Sequence, residues 1–451
     1  MEKGPSSRLL FPQFEGLRNR NPEEAYTFFR KLLLVIGGST LSIIAIGEIV
    51  IWGILRLWSE ENQKILVLTK WMLPGLFFIA LYGLNVSFLQ CHGRFFVSSI
   101  APFSCNMMWI IGALTLKNLP TERAIFGLAR FVLVGFVIQW MITAFRMRSQ
   151  MGSKKWLMND LFHPEVRRLA KAFGLGALGV GAMQMNSFLD AIFARYAHVS
   201  GPAYLWYASR LQQLALAIFG IATVNVLIPV LSRAIKGEEI KRAKGIFSFG
   251  CRRLILIMIP MTFAVCILGF SAIDLVFGRG SFTPYAVAQT TGCLTAYAPG
   301  LLPSTLVMYY SAVLYAKGNF KTPALFSAMT VGMNIVLNTL FVFGLGLGVI
   351  STALTTTVGA WCNFIALQST LKKIGWTIGY RLKEFAFLVG GVFLASALTY
   401  EVGRLFSDKI WSFVIPGLTF AFVLGLYGFA FNKSLFDDRT SEANLSAVKD
   451  H

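Results

Sequence analysis

The sequence predicts an all-α polytopic membrane protein, a helical bundle of about twelve transmembrane helices in two lobes. The 451-residue chain is 55% hydrophobic and only 14% charged, whereas soluble domains keep roughly 25% charged residues. Its apolar residues cluster in nearly uncharged runs, such as 32–54 and 254–270, and crossing a bilayer takes about 20 such residues. The runs do not alternate with a period of two, so helices rather than a closed β-barrel satisfy the backbone in lipid.

Twelve apolar segments are candidates for the spans. They lie at about 29–55, 65–90, 97–116, 124–145, 169–195, 202–232, 246–273, 285–316, 322–343, 347–371, 384–403 and 411–432.

The basic residues behind the net charge of +20 are distributed unequally between the loops on the two sides of the membrane. With the chain start assigned to the cytoplasm, the loops on that side hold more than three times as many lysines and arginines as the opposite loops. This asymmetry is the positive-inside rule, which predicts an even number of spans and two cytoplasmic termini. We therefore expect anionic membrane lipids as secondary partners and no nucleic acid.

The chain contains an internal repeat. Leu-Pro-Gly-Leu at 73–76 resembles Ala-Pro-Gly-Leu at 298–301, and the Gly-x-Phe at 93–95 recurs at 318–320. The landmark pairs, at similar separations, are Pro12 and Pro229, Pro74 and Pro299, and Gly93 and Gly318. Internal repeats are common in transporters and place the substrate route between the two halves. We expect the two lobes to superpose as a pseudo-twofold pair.

The repeat also sets the predicted domain boundaries. We predict an N-terminal lobe at 1–145, a cytoplasmic linker at 146–168, a C-terminal lobe at 169–372, and an extra helix pair with a cytoplasmic tail at 373–451. In the second copy Pro229 ends the span 202–232, which the span 169–195 precedes, whereas only eleven residues precede Pro12. We therefore expect the N-terminal lobe to lack about two helices. Restoring those two helices would give a total of fourteen transmembrane helices.

Three motifs resemble the MurJ (MviN) family of lipid II flippases. YASRL at 207–211, continuing to LIPVLS at 227–232, resembles the eighth helix of that family. FGRGSFT at 277–283 resembles its following turn, and YAKGNFKTP at 315–323 resembles one of its loops. The resemblance runs nearly end to end. The sequence differs at positions where the family often has acids, which are Ser209, Gln213 and Asn319.

The resemblance implies the two-lobed MOP-superfamily (MATE-like) fold, with fourteen helices in the complete family. It also implies alternating access, in which a cationic cavity opens to each side of the bacterial inner membrane in turn. The implied substrate is lipid II, the undecaprenyl-diphosphate-linked peptidoglycan precursor of cell wall biogenesis and cell shape, with the cell-wall synthesis machinery as a further partner. Alternative interpretations are a polysaccharide-repeat flippase, a multidrug antiporter of the same superfamily, or an inactive truncated remnant.

Arg210 is the strongest candidate for substrate binding. It follows Pro202 by eight residues, about 12 Å of helical rise. An arginine at that depth is costly unless it lines a water-filled pathway or pairs with an acid, and its guanidinium fits a diphosphate bidentately. Asp190 lies at a similar depth on the preceding span, so an ion pair with Arg210 or a role in coupling are both open. The resemblance places Arg210 in the cavity.

Three further arginines are candidate substrate contacts. Arg130 lies well inside its span, whereas Arg252 and Arg253 lie two turns past a cytoplasmic loop. The alternative for the last two is that they extend to the lipid head groups at the interface.

The sequence does not predict an enzyme. It lacks the D-D-x-x-D cluster with which a membrane prenyltransferase binds magnesium diphosphate, and it has no phosphate-binding loop of an ATPase. The cysteines lack metal-type spacing. We therefore expect no metal and no cofactor, and transport coupled to the membrane potential or to a monovalent ion.

The orientation can be tested by labelling single cysteines in a chain whose six native cysteines are replaced. A membrane-impermeant thiol reagent should reach Asn62→Cys and Asp408→Cys from outside. It should miss Ser153→Cys and Ser434→Cys until the membrane is opened. The reversed pattern would contradict the predicted topology.

Overall fold

The computed structural model describes residues 22–56, 60–151, 184–377, 382–406 and 408–431, and within these ranges all regular secondary structure is helical. Ten helical segments of this part of the chain are long and apolar enough to cross a membrane. Large apolar side chains are exposed along them, for example Ile46 and Ile49 at 61% and 68%, as expected for a surface in contact with lipid. The predicted all-α polytopic membrane fold is confirmed.

The chain divides into two compact units, residues 1–180 and 181–451. The helices of the first unit are α1 (Pro22–Leu55), α2 (Glu60–Met72), α3 (Gly75–Cys91), α4 (Phe95–Leu116) and α5 (Thr121–Met151). In this unit α5 packs against α2, α3 and α4, and α1 packs against α3. Phe29 of α1 and Phe88 of α3 are fully buried, with ring centroids 4.6 Å apart.

The second unit is built around its longest helix. Its helices are α6 (184–197), α7 (Gly201–Ala215), α8 (Ala222–Lys236), α9 (Ile240–Phe277), α10 (Pro284–Tyr297), α11 (Leu301–Ala316), α12 (Lys321–Asn338), α13 (Ile350–Lys373), α14 (Leu382–Gly403) and α15 (Trp411–Phe431). Helix α9 packs against α8, α10, α11, α14 and α15. The buried core around α9 includes the aromatic residues Phe247, Tyr309, Tyr310, Phe364, Trp376 and Phe420.

Two predicted spans contain a turn at a proline, whereas α7 and α8 are joined by a π-helical turn, Leu216–Ile221, into the single span Gly201–Lys236. The span predicted at 65–90 has a turn at Leu73 and Pro74 between α2 and α3 but remains one candidate membrane span, Gln63–Cys91. The span predicted at 285–316 is interrupted between α10 and α11 by a single 3-10 turn, Ala298–Gly300. Proline causes such breaks because it lacks an N–H and its ring collides with the preceding turn. Of the span predicted at 169–195, only the part from 184 is described.

Side chains of α13 donate hydrogen bonds to two carbonyl groups at the second of these turns. The Thr357 hydroxyl donates to the Ala296 carbonyl at 2.7 Å, and the Trp361 indole donates to the Pro299 carbonyl at 3.1 Å. An unpaired carbonyl in lipid would cost several kcal/mol. Helix α13 therefore stabilises the break between α10 and α11.

The repeat landmarks Gly93 and Gly318 have similar local conformations, each within its own unit. Gly93 and Gly318 both follow a helix end with positive φ, +68° and +77°. The next residue donates back to a helix carbonyl in both turns, Arg94 to Leu89 and Asn319 to Leu314, each at 2.8 Å. Glycine favours this backbone because it has no Cβ. Pro12 lies outside the described residues, and the superposition of the lobes stays a prediction.

The predicted domain boundaries also stay predictions. The linker at 146–168 is described only as far as Met151, the end of α5, and the tail beyond Phe431 lies outside the described residues. The predicted extra helix pair at the end of the chain corresponds to α14 and α15, which pack against each other and against α9 of the second unit.

Gly391 of α14 has no side chain, which lets α14 and α15 approach closely. The ring of Tyr427 on α15 lies over Gly391 of α14, where an added Cβ would come within 2.3 Å of a ring carbon. The same ring stacks on Phe387 with centroids 4.5 Å apart. Small residues at helix contacts let membrane helices pack by van der Waals contact.

Substituting this glycine should loosen the terminal pair. Gly391→Ala forces Tyr427 aside, an overpacking cost of about 1–3 kcal/mol, and should lower the melting temperature of the purified protein. Gly425→Ala on α15 is the matched control, because nothing lies within 4 Å of its added Cβ. Adding Tyr427→Ala should reduce the effect of Gly391→Ala. Equal melting temperatures for the two single variants would contradict this packing.

Candidate functional site

A buried carboxylate lies inside the second unit. Asp190 is on α6 and is only 5% exposed. It faces α12 and α13, whose nearest side chains are amides and hydroxyls. The membrane interior offers no water to solvate a charge, so an acid at this position needs partners within the protein.

Three side chains donate hydrogen bonds to the Asp190 carboxylate. The Asn338 amide donates to Oδ1 at 3.0 Å, and the Thr356 hydroxyl donates to Oδ2 at 2.9 Å. Asn186, one turn earlier on α6, also donates to Oδ2, at 3.2 Å. Hydrogen bonds to an ionised group are roughly twice as strong as those between neutral groups. They tie α6 to α12 and α13.

A second layer of polar groups orients these donors. The Asn338 amide nitrogen also donates to Asn334 Oδ1, and the Thr355 hydroxyl donates to Asn338 Oδ1 at 2.8 Å. The Asn334 amide donates to the Thr356 hydroxyl oxygen at 3.3 Å. Among the described residues, the buried Oδ1 of Asn186 accepts no hydrogen bond. The cluster therefore combines one carboxylate with several neutral oxygens.

The salt bridge that the sequence allowed between Asp190 and Arg210 is not formed. In the described ranges, no nitrogen of a basic side chain lies within 4.0 Å of the Asp190 carboxylate. The reason is the orientation of α7, which packs against α10 and buries Tyr204, Leu205 and Ala208. Arg210 lies on the exposed face of that helix. The interpretation of Asp190 as a coupling residue stays a prediction.

Arg210 contacts an aromatic ring instead. Its guanidinium carbon lies 4.7 Å from the ring centroid of Trp206, one turn earlier on α7. Trp206 is 52% exposed, so the pair lies on the surface of its unit. An arginine over a tryptophan face is held by the ring quadrupole, a cation–π interaction. The interaction leaves the positive charge of the guanidinium in place.

The other candidate arginines are spread over both units. Arg130 belongs to α5 of the first unit, and its guanidinium carbon lies 4.9 Å from the ring centroid of Trp71 on α2. Arg252 and Arg253 lie on α9 of the second unit, the first exposed and the second 5.2 Å from the ring centroid of Phe249. Their roles in substrate binding stay predictions.

Several residues of these sites were not predicted. The intramembrane asparagines stand out in the sequence, but Thr356 does not, because threonines are frequent in these spans. Trp206 could have been found, since residues four apart on a helix are neighbours. The contact between Trp71 and Arg130 joins two helices, and no spacing along the chain indicates it.

Comparison with solved structures defines the fold. The chain has the fold of the MOP superfamily of membrane transporters. It is similar to a lipid II flippase MurJ in an inward closed conformation, with a TM-score of 0.79 and 21% identity over 96% of this chain and 89% of that one. It is also similar to an inward-facing MATE multidrug transporter, with a TM-score of 0.68 and 15% identity over 83% and 87%.

Sequence comparison identifies the family. The model of the family "Lipid II flippase MurJ" matches residues 3–419, and the chain belongs to this family. Probable lipid II flippases MurJ of Chlamydia pneumoniae and Chlamydia trachomatis are 29% and 30% identical over 364 and 336 residues. These alignments cover 80% and 74% of this chain. The chain spans less than two thirds of the length of these two relatives, 65% and 62%.

The hydrogen bonds to Asp190 can be tested by one hydroxyl deletion. Thr356→Val removes a donor to a buried carboxylate, which should lower the free energy of unfolding by about 1.5–3 kcal/mol. Thr330→Val on α12 is the control, because that hydroxyl bonds only the Phe326 carbonyl of its own helix, at 2.8 Å. Thermal unfolding in detergent measures both. If both variants lose the same free energy of unfolding, the hydrogen bond from Thr356 to Asp190 adds no stability beyond that of an ordinary helix hydroxyl.

Proposed function

We propose that this chain is a flippase that carries lipid II across the bacterial inner membrane by alternating access, without catalysing a chemical reaction. The observation that carries the proposal is the MurJ family match over residues 3–419. Relatives from Chlamydia and Vibrio cholerae bear the name of probable lipid II flippase. Lipid II as the substrate and peptidoglycan assembly as the process follow from that name.

The sequence family, rather than the fold, favours this function over multidrug antiport. A MurJ and a MATE structure both share the fold, at TM-scores of 0.79 and 0.68, so the fold is compatible with either. A polysaccharide-repeat flippase would carry a related diphosphate lipid, and an inactive remnant would carry nothing. Growth in cells depleted of their own flippase separates a lipid II flippase from the other three.

The charge distribution supports an inner-membrane location with both termini in the cytoplasm. The loops assigned to that side are enriched in lysine and arginine, which retards their translocation during insertion. In this orientation Arg210 lies on a span that starts near the outer face. The cell-wall synthesis enzymes that use the flipped lipid would act on that face.

Arg210 is the residue we propose for contact with the substrate diphosphate. It lies within a membrane span, is exposed on its unit, and has no salt bridge to any described carboxylate. A guanidinium can donate two parallel hydrogen bonds to phosphate oxygens. An uncompensated cation inside a membrane protein is costly, which is consistent with a group kept for an anionic ligand.

Replacing Arg210 should abolish transport without lowering the amount of protein in the membrane. Arg210→Ala loses a charge-assisted contact worth roughly 1.5–3 kcal/mol, and Arg210→Lys keeps the charge but loses the planar fork. In cells depleted of their own flippase, Arg210→Ala should fail to support growth and outer-face exposure of lipid II, and Arg210→Lys should be weak. Membrane levels of each variant are measured in parallel.

The matched control is Arg404→Ala, which removes an exposed arginine whose partner is Glu401 on its own helix, at 3.6 Å. It should flip normally. Normal flipping by Arg210→Ala would rule out its substrate role. Failure of the unchanged chain together with all variants would contradict the flippase function itself.

We further propose that the Asp190 cluster binds a monovalent cation that couples to transport. The donor set fits: one carboxylate, amide and hydroxyl oxygens, and a buried Asn186 Oδ1 without a partner among the described residues. Hard cations prefer such oxygen ligands. In the described ranges no group of three acidic, histidine or cysteine residues could hold a metal ion, and one carboxylate balances one positive charge.

Sodium should stabilise the purified protein through this cluster. A ligand at a hundred times its dissociation constant adds about 2.7 kcal/mol of stability, so the melting temperature should rise with sodium chloride and not with choline chloride. Asp190→Asn should remove the sodium effect, whereas Asp274→Asn should keep it, because Asp274 pairs with Lys409 at 2.8 Å. A sodium effect that survives Asp190→Asn, or no effect in the unchanged chain, would contradict the proposal.

A further inference from the structure

Trp206 and Arg210 form a pair on the exposed face of α7. The guanidinium carbon of Arg210 lies 4.7 Å from the centroid of the Trp206 ring, and the indole is 52% exposed. The opposite face of α7 is buried through Tyr204, Leu205 and Ala208. Because the helix is fixed on that side, the position of Trp206 is fixed with it.

No acidic residue competes for this arginine on its own helix. The residues three and four positions away, on the same face, are Trp206, Tyr207, Gln213 and Leu214. The Ser209 hydroxyl donates to the Trp206 carbonyl at 2.8 Å. The indole is therefore the contact that α7 itself provides to the guanidinium.

Stacking and ion pairing leave a guanidinium in different states. A carboxylate binds the edge, where the five N–H donors lie, and cancels the charge. An aromatic ring binds the flat face, so the edge and the charge stay available to a second ligand. Stacking also restricts a long side chain before binding, which lowers the entropy that the ligand complex must lose.

We infer that Trp206 is a positioning residue, which holds the Arg210 guanidinium by its face so that its edge can bind the phosphate oxygens of a diphosphate lipid. The inference rests on the proposed function and adds a residue to its binding site. Trp206 acts through Arg210 and makes no essential contact of its own.

The stack itself can be measured without any lipid. Phenylglyoxal modifies arginine side chains, and mass spectrometry of the peptide that contains Arg210 gives the rate at this one residue. Trp206→Leu should raise the rate about two- to fivefold, the factor expected for loss of an exposed cation–π contact. Trp206→Phe, which keeps an aromatic face, should raise it less. An unchanged rate in Trp206→Leu would overturn the inference.

The consequence for binding is tested by a double-mutant cycle on the full chain in lipid nanodiscs. The probes are lipid II and undecaprenyl diphosphate, which carries no sugar. Trp206→Leu should weaken binding of both probes about two- to fivefold, with Trp206→Phe intermediate. In the Arg210→Ala background, Trp206→Leu should have no further effect, because its action passes through the guanidinium.

The matched control is Trp52→Leu, which removes another stack four residues apart, with Arg56 at 3.7 Å near the end of α1. It should leave the affinity for both probes unchanged. An effect of Trp206→Leu that persists in the Arg210→Ala background would overturn the inference, since Trp206 would then contact the ligand or support the fold directly. An unchanged chain that binds neither probe would overturn the proposed function together with it.

Discussion

A polar group inside a membrane protein must find its partner within the protein, since the hydrocarbon supplies none. This constraint connects features that otherwise look unrelated. At the break between α10 and α11 it requires Thr357 and Trp361 to satisfy freed carbonyls. At Asp190 it requires amide and hydroxyl donors from two other helices. Helix α13 supplies partners at both places, so the broken span and the carboxylate share one scaffold.

The fold was largely predictable because it depends mainly on properties that can be read along the sequence. Apolar length fixes the spans, and loop charge gives their expected direction. The turns inside the spans at 65–90 and 285–316 were not predicted, because an apolar run does not show whether a proline bends a helix, interrupts it or lies within it. Pro229 shows the difference, since it lies inside the continuous helix α8, whereas Pro299 lies at the break.

The sequence marked Asp190 and Arg210 as candidate residues but did not predict the side chains that contact them. Depth in a span marks Asp190 and Arg210, because charges there are costly. Their pairing could not be predicted, since equal depth on consecutive helices does not fix the faces that the helices present. The structure assigns each a different kind of partner, hydrogen-bond donors for Asp190 and an aromatic face for Arg210. Two charged residues at similar depth on consecutive spans can therefore belong to two separate polar sites.

The stacked arginine also has an electrical consequence. Among the described residues no carboxylate pairs with this guanidinium. Its charge is therefore subject to the voltage across the membrane, at about 2.3 kcal/mol for each charge moved through 100 mV. In the proposed alternating-access cycle, the charge carried at Arg210 would be positive with an empty binding site and negative with a diphosphate bound to the guanidinium. The field would then act in opposite directions on the empty and the loaded forms of the proposed flippase, so the membrane voltage would favour return of the empty form and delivery by the loaded one.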